Sequence, residues 1–104
     1  MLVASEPADT YLLSDQPVRE DGMPTLLKVG PYRFFIVMMD CEERRHVHVK
    51  GGGSGEAKFW LEPDVELAAN QGYTPRETGR IARIVGENVA ILIERWNEEC
   101  AKAK

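Results

Sequence analysis

The stretch HVHVKGGGSGEAKFWLE, residues 46–62, decides the fold, because two alternating runs flank a glycine-rich loop. In the first run, the two histidines and Lys50 alternate with valines. In the second run, Ala57, Phe59 and Leu61 alternate with charged or larger side chains. A period of two sends alternate side chains to opposite faces of a strand. The stretch therefore predicts a β-hairpin whose valines enter the core and whose imidazoles share a polar face with Lys50.

A second predicted hairpin precedes the first. Residues 25–29 and 33–39 are rich in β-branched and aromatic side chains, and Gly30-Pro31-Tyr32 between them is typical of a turn. Both faces of the run 33–39 are apolar, which indicates a central strand that is covered on each side.

The remainder of the chain predicts helices. Residues 64–71 indicate a short helix that ends at Gly72. Thr74, Pro75 and Glu77 then form a strong helix start, with Thr74 as the N-cap, proline at the first position and the glutamate completing a capping box. We expect a long helix from there to about residue 101. Its core stripe consists of Ile81, Val85, Val89, Leu92 and Trp96.

These elements predict an α+β fold, in which an antiparallel sheet of about four strands in two hairpins packs against the long C-terminal helix and the short helix before it. Three more isoleucines, Ile84, Ile91 and Ile93, widen the apolar arc of the long helix to about half its circumference. This arc is wider than packing against one sheet face requires, so we expect a homodimer that covers the rest of it.

Composition predicts one domain over residues 23–104, preceded by a flexible acidic arm over residues 1–22. The 104-residue chain is 43% hydrophobic and 29% charged, with a net charge of −4. The arm holds five acids against Arg19 alone, so the rest of the chain is neutral and offers no general basic surface.

We expect a cytoplasmic protein without a membrane partner. No apolar run approaches the ~20 residues of a membrane span, and the N-terminus lacks the pattern of a signal peptide. Cys41 and Cys100 are too few for a secreted disulfide framework, so both are expected to be reduced.

The polar face of the histidine run is the candidate site. One alternative function is a metal-independent ribonuclease-type toxin, in which His46 and His48 are the general acid and base and Arg33 stabilises phosphate charge. The proposed ligand-binding residues around them are Tyr32, Arg44, Arg45, Lys50, Gly52 and Gly53. Such sets also occur on solvated strands, so whether the protein is an enzyme stays open at this point.

A metal-binding hydrolase is a weaker alternative. Two histidines two residues apart on a strand can share a metal ion if a third ligand lies close. The candidates for this ligand are Asp40, Cys41, Glu56 and Glu62. Histidines on a sheet more often serve as hydrogen-bonding side chains, so we expect no resident metal and no other cofactor.

Two further motifs have simpler interpretations. The glycine loop, residues 51–55, lacks the Gly-Lys-Ser/Thr ending of a phosphate-binding loop, which favours a flexible hairpin tip. A residue spacing similar to that of a DNA-binding helix-turn-helix occurs in residues 67–74, followed by Arg76, Arg80 and Arg83. Ordinary helix capping explains the same residues.

The segments MPTLLKVGPYRFF from Met23, HVHVKGGGSGEAKFWLEP from His46 and LAANQGYTPRETGRIARIV from Leu67 resemble the bacterial domain-of-unknown-function family DUF4160. The resemblance covers about residues 23–101, and the acidic arm departs from the family pattern. It implies a small protein encoded beside a second one, similar to a toxin-antitoxin pair, and it implies no catalytic residue. We therefore expect an interaction module that contacts a nearby-encoded protein partner, or RNA.

Overall fold

The computed structural model describes residues 22–102, and the predicted arm lies outside these residues apart from Gly22. The α+β fold is confirmed, but the sheet has five strands instead of about four. The strands are β1 (Thr25–Val29), β2 (Tyr32–Phe35), β3 (His46–Gly51), β4 (Glu56–Trp60) and β5 (Glu66–Gln71). They pair antiparallel in chain order. The helices are α1 (Pro75–Glu87) and α2 (Val89–Lys102).

The first hairpin forms at the predicted turn, where Gly30 has a positive φ of 57°. Strand β2 ends at Phe35, earlier than the predicted residue 39, because the chain leaves the ladder and forms a 3-10 helix at Met38–Asp40. Ile36 and Met38 still donate backbone hydrogen bonds, to Pro24 and Gly22 respectively. This early exit brings Asp40 beside the start of β3.

The second hairpin agrees with the sequence pattern. In the β3–β4 register, Val47 lies opposite Phe59 and Val49 opposite Ala57. All four side chains are buried in the core with Ile81 and other apolar residues of the helices. The alternation of the sequence therefore sets which face of these two strands packs on the helices.

The predicted short helix over residues 64–71 is wrong, because Glu66–Gln71 forms β5. Pairing with β4 overrides the helical preference of these residues, since tertiary hydrogen bonding outweighs a weak local propensity. The strand ends in a turn in which the Asn70 side chain bonds the backbone of Tyr73. A helix-turn-helix would need its first helix here, so that interpretation is also wrong.

The predicted long helix is two helices. Its start is confirmed, because Glu77 donates its backbone N–H to the Thr74 hydroxyl at 3.1 Å and Pro75 occupies the first turn. Asn88 interrupts the helix with φ −123° and ψ 15°. The predicted stripe faces the core on both helices, with Val89 partly buried beside the break. The wide apolar arc is thus shared between two helices, and the homodimer stays a prediction.

A disulfide joins Cys41 to Cys100, so the expectation of two reduced cysteines is wrong. Cys41 follows the 3-10 helix and Cys100 lies near the end of α2, at a Cα–Cα distance of 5.7 Å. Their separation of 59 positions gives no local sequence signal for the pair. The crosslink ties the β2–β3 connection to α2.

Among residues 22–102, neither helix is long and apolar enough to cross a membrane.

Loss of the disulfide should lower the free energy of unfolding by about 2–4 kcal/mol, because the crosslink closes a long loop in the unfolded chain. Urea denaturation should show this loss for the reduced protein and for the Cys41→Ala/Cys100→Ala variant. The double variant is the control, since reductant should not change its stability. Equal stability of the wild type with and without reductant would contradict the prediction.

Candidate functional site

The carboxylate of Asp40 joins the two histidines of β3. His46 and His48 are two residues apart on the strand and therefore share a face. Oδ2 of Asp40 lies 3.2 Å from Nε2 of His46 and 3.3 Å from Nε2 of His48. These three residues, named here the Asp-His cluster, depend on the early end of β2, which places the 3-10 helix against β3.

Burial differs across the Asp-His cluster. The side chain of His46 is fully buried, whereas those of His48 and Asp40 are 17% and 22% exposed. Trp96 of α2 and Trp60 of β4 contact the His46 ring edge-on, with centroid distances of 5.1 and 5.6 Å. The open polar face predicted for this strand is therefore closed at His46, and solvent reaches the cluster from the His48 and Asp40 side.

Hydrogen bonds and burial act on the protonation of the Asp-His cluster. Burial alone would raise the pKa of Asp40, but the hydrogen bonds and charges of the two imidazoles outweigh it and lower this pKa. The pKa of His48 is lowered, mainly by burial, although the hydrogen bond and charge of the Asp40 carboxylate act in the opposite direction. The cluster therefore favours an ionised carboxylate beside a neutral His48 imidazole.

The predicted cationic residues do not converge on the Asp-His cluster. Arg33 donates to the Met23 carbonyl and the Thr25 hydroxyl, and it stacks 4.5 Å from the Phe35 ring centroid. Phe35 in turn stacks on His48 at 5.5 Å, so its ring contacts both the guanidinium and the imidazole. Arg33 thus supports the cluster indirectly.

The other three cations have structural contacts of their own. The Arg44 guanidinium lies 4.0 Å from the centroid of the Trp60 ring. Arg45 pairs with Glu62 at 3.1 Å and also donates to Asn97 of α2. Lys50 lies 3.9 Å from Glu56 across the strand pair. These contacts hold the side chains in place around the sheet, and the phosphate-binding role of these residues stays a prediction.

The glycine loop packs against tyrosines on the helix side of the molecule. A Cβ at Gly52 would lie 2.9 Å from the Tyr32 ring, whose hydroxyl donates to Glu77 of α1. A Cβ at Gly51 would collide with the backbone carbonyl of Pro31, and nothing lies within 4 Å of one at Gly53. The loop follows the end of β3, about 17 Å along the strand from His46 at ~3.4 Å per residue. Tyr32, Gly52 and Gly53 therefore do not join the Asp-His cluster.

A depression of about 410 Å³ lies on the outer face of the sheet and includes His48. Its lining consists of His48, Glu56, Ala57, Lys58, Ala69, Asn70 and Gln71. Lys58 is paired with Glu43 at 3.3 Å and lies 4.6 Å from the Trp60 ring centroid. The depression therefore connects the exposed side of the Asp-His cluster with β5.

The geometry limits the chemistry of the Asp-His cluster. Both imidazoles approach one carboxylate oxygen and only His48 has an exposed edge, so the two rings do not lie on either side of an open substrate position. Of the sequence candidates for a third metal ligand, the structure brings Asp40 into the cluster. Cys41 is in the disulfide, and the two glutamates pair with Arg45 and Lys50.

Replacing Asp40 with alanine should lower the free energy of unfolding by about 1–3 kcal/mol, because buried His46 loses its Nε2 partner. Glu43→Ala is the matched control, since it removes an exposed carboxylate from the same connection and breaks a surface ion pair worth less than about 1 kcal/mol. Urea denaturation in metal-free buffer measures both losses. Similar losses for the two variants would show that Asp40 has no special role in stability.

The family model described as Domain of unknown function (DUF4160) matches residues 32–97, which include β3, the Asp-His cluster and β5. No curated protein and no solved structure matches the chain. Because the family model matches more than half of the 104 residues, the protein belongs to the DUF4160 family.

Proposed function

We propose that the protein is a small bacterial interaction module, one partner of a toxin-antitoxin-like pair, which binds an extended segment of the other protein along β5. One observation carries this proposal. All six residues of β5 are exposed, although the strand is hydrogen-bonded to β4 along one side. An edge strand presents backbone donors and acceptors that an incoming strand can pair.

The side chains of β5 suit strand addition. Leu67 is 46% exposed, and it is followed by two alanines, Asn70 and Gln71, so most of the strand is small and uncharged. Protected edges usually carry lysine or proline, and β5 has neither. Its pairing with β4 has a bulge at Ala68, so an incoming strand would pair with the regular segments of β5 on either side of this residue.

The opposite edge of the sheet is less available. Arg95 of α2 donates a hydrogen bond to the backbone carbonyl of Leu26 in β1 at 2.6 Å. Lys28 of the same strand is exposed, and lysine on an edge discourages pairing with another strand. This asymmetry favours β5 over β1 as the docking edge.

Charge favours a separate partner over a second copy of this chain. The net charge of −4 comes from residues 1–22, so the preference for a basic partner rests on the acidic residues at the start of β5. Asp64 and Glu66 are exposed at the start of β5 and complement basic residues in the incoming segment. RNA is a poorer fit, because Arg45, Lys50 and Lys58 are already paired with carboxylates.

Adding lysines to β5 should weaken the complex with the product of the adjacent gene by at least about tenfold in Kd. The test variant is Ala68→Lys/Ala69→Lys, and binding is measured by titration calorimetry on the two purified proteins. Both alanines are exposed, so the fold should be retained, which circular dichroism checks.

The matched control is Ala90→Lys/Ala101→Lys, which adds the same charge at exposed positions of α2 and should bind like the wild type apart from a small general charge effect. Absence of any complex with the adjacent gene product would overturn the proposal. Self-association that the β5 lysines abolish would also overturn it, because the occupant would then be a second copy.

A further inference from the structure

We propose that the Asp-His cluster binds a divalent transition metal ion of the zinc class. The ligand atoms of Asp40, His46 and His48 all lie within 4.8 Å of one another. Two imidazole nitrogens and one carboxylate oxygen suit Zn²⁺, Co²⁺ or Ni²⁺, whereas Mg²⁺ and Ca²⁺ prefer oxygen ligands alone. This site is independent of the partner-binding role proposed for β5.

The two spacings between the carboxylate oxygen and the imidazole nitrogens fit a tetrahedral ion. With zinc–ligand bonds of ~2.0–2.1 Å, neighbouring ligand atoms in a tetrahedron lie ~3.3–3.4 Å apart. The carboxylate oxygen of Asp40 is 3.2 Å from His46 Nε2 and 3.3 Å from His48 Nε2. An ion can therefore replace these two contacts, and the imidazole nitrogens, which lie within 4.8 Å of each other, move together to complete the tetrahedron.

The tautomer of His46 supports a cation at this point. Its Nδ1 lies 2.8 Å from the carbonyl oxygen of Arg44, and a carbonyl can only accept, so Nδ1–H is the donor. In the neutral ring, Nε2 then carries a lone pair that faces the Asp40 carboxylate. A proton or a metal ion must lie between two such acceptors. A backbone carbonyl that fixes the other ring nitrogen is also the usual support of a metal-binding histidine.

The surroundings hold the ligands in position. Trp60 and Trp96 enclose the fully buried His46 ring, and Phe35 stacks on His48 at 5.5 Å. Cys41, next to Asp40, is fixed to α2 by the disulfide. Three protein ligands leave a further position for water on the exposed side of the site, as in open zinc sites.

Titration of the metal-free full-length protein with Zn²⁺ or Co²⁺ tests this proposal. The protein must carry no histidine tag, because its only two histidines both lie in the cluster. We expect one equivalent of Zn²⁺ with a Kd of about 1 µM or tighter, and visible absorption typical of tetrahedral Co²⁺. Asp40→Ala and His48→Ala should each weaken binding at least about 100-fold, whereas Glu43→Ala, the carboxylate control, should bind like the wild type.

Two further measurements on the wild type keep the test decisive if a variant fails to fold. Zn²⁺ should raise the Tm by at least about 5 °C, since a ligand of the folded state stabilises it. Nitrogen-15 NMR of the imidazoles should show coordination through Nε2 of both histidines. Absence of saturable Zn²⁺ and Co²⁺ binding by the folded wild type would overturn the proposal, as would binding that leaves both imidazoles unchanged.

Discussion

One carboxylate oxygen, Oδ2 of Asp40, is shared by two imidazoles, and the path of the chain around β3 depends on it. His46 is fully buried, so its ring nitrogens need partners from the protein. The Arg44 carbonyl satisfies Nδ1, and Asp40 reaches Nε2 because β2 ends at Phe35 and the 3-10 helix turns the chain back. The disulfide at Cys41 then fixes the same turn to α2. The early end of β2 is therefore required for the Asp-His cluster to form.

The fold could be predicted where local periodicity and tertiary pairing agree. Both hairpins and the Thr74 helix start follow from alternation, turn residues and capping. Strand β5 could not be predicted, because residues 66–71 favour a helix and only the free side of β4 makes them a strand. The break at Asn88 could not be predicted for a different reason. Val85, Val89 and Leu92 keep helical spacing across the break. The apolar stripe therefore continues in the sequence although the helical backbone is interrupted.

The candidate site, like the fold, could be predicted only where a local sequence pattern determines it. Alternation correctly places His46 and His48 on one face, and Asp40 was among the possible ligands. Burial of His46 depends on Trp96, 50 positions later in the sequence, which no local pattern connects with it. The contacts of the predicted phosphate-binding cations could not be read from the sequence for a related reason. Their charges look free in the sequence, but the fold uses them in ion pairs with carboxylates and in contacts with Phe35 and Trp60.

The outer face of the sheet connects the metal site with the docking edge. His48 and Lys58 line the same depression as Ala69 and Gln71 of β5. A strand added to β5 would extend the sheet beside this depression and narrow its access to solvent. The exposed side of the Asp-His cluster is His48 and Asp40, because the two tryptophans close the other side. Partner binding would therefore leave the three ligands in place and change how readily water reaches the open coordination position.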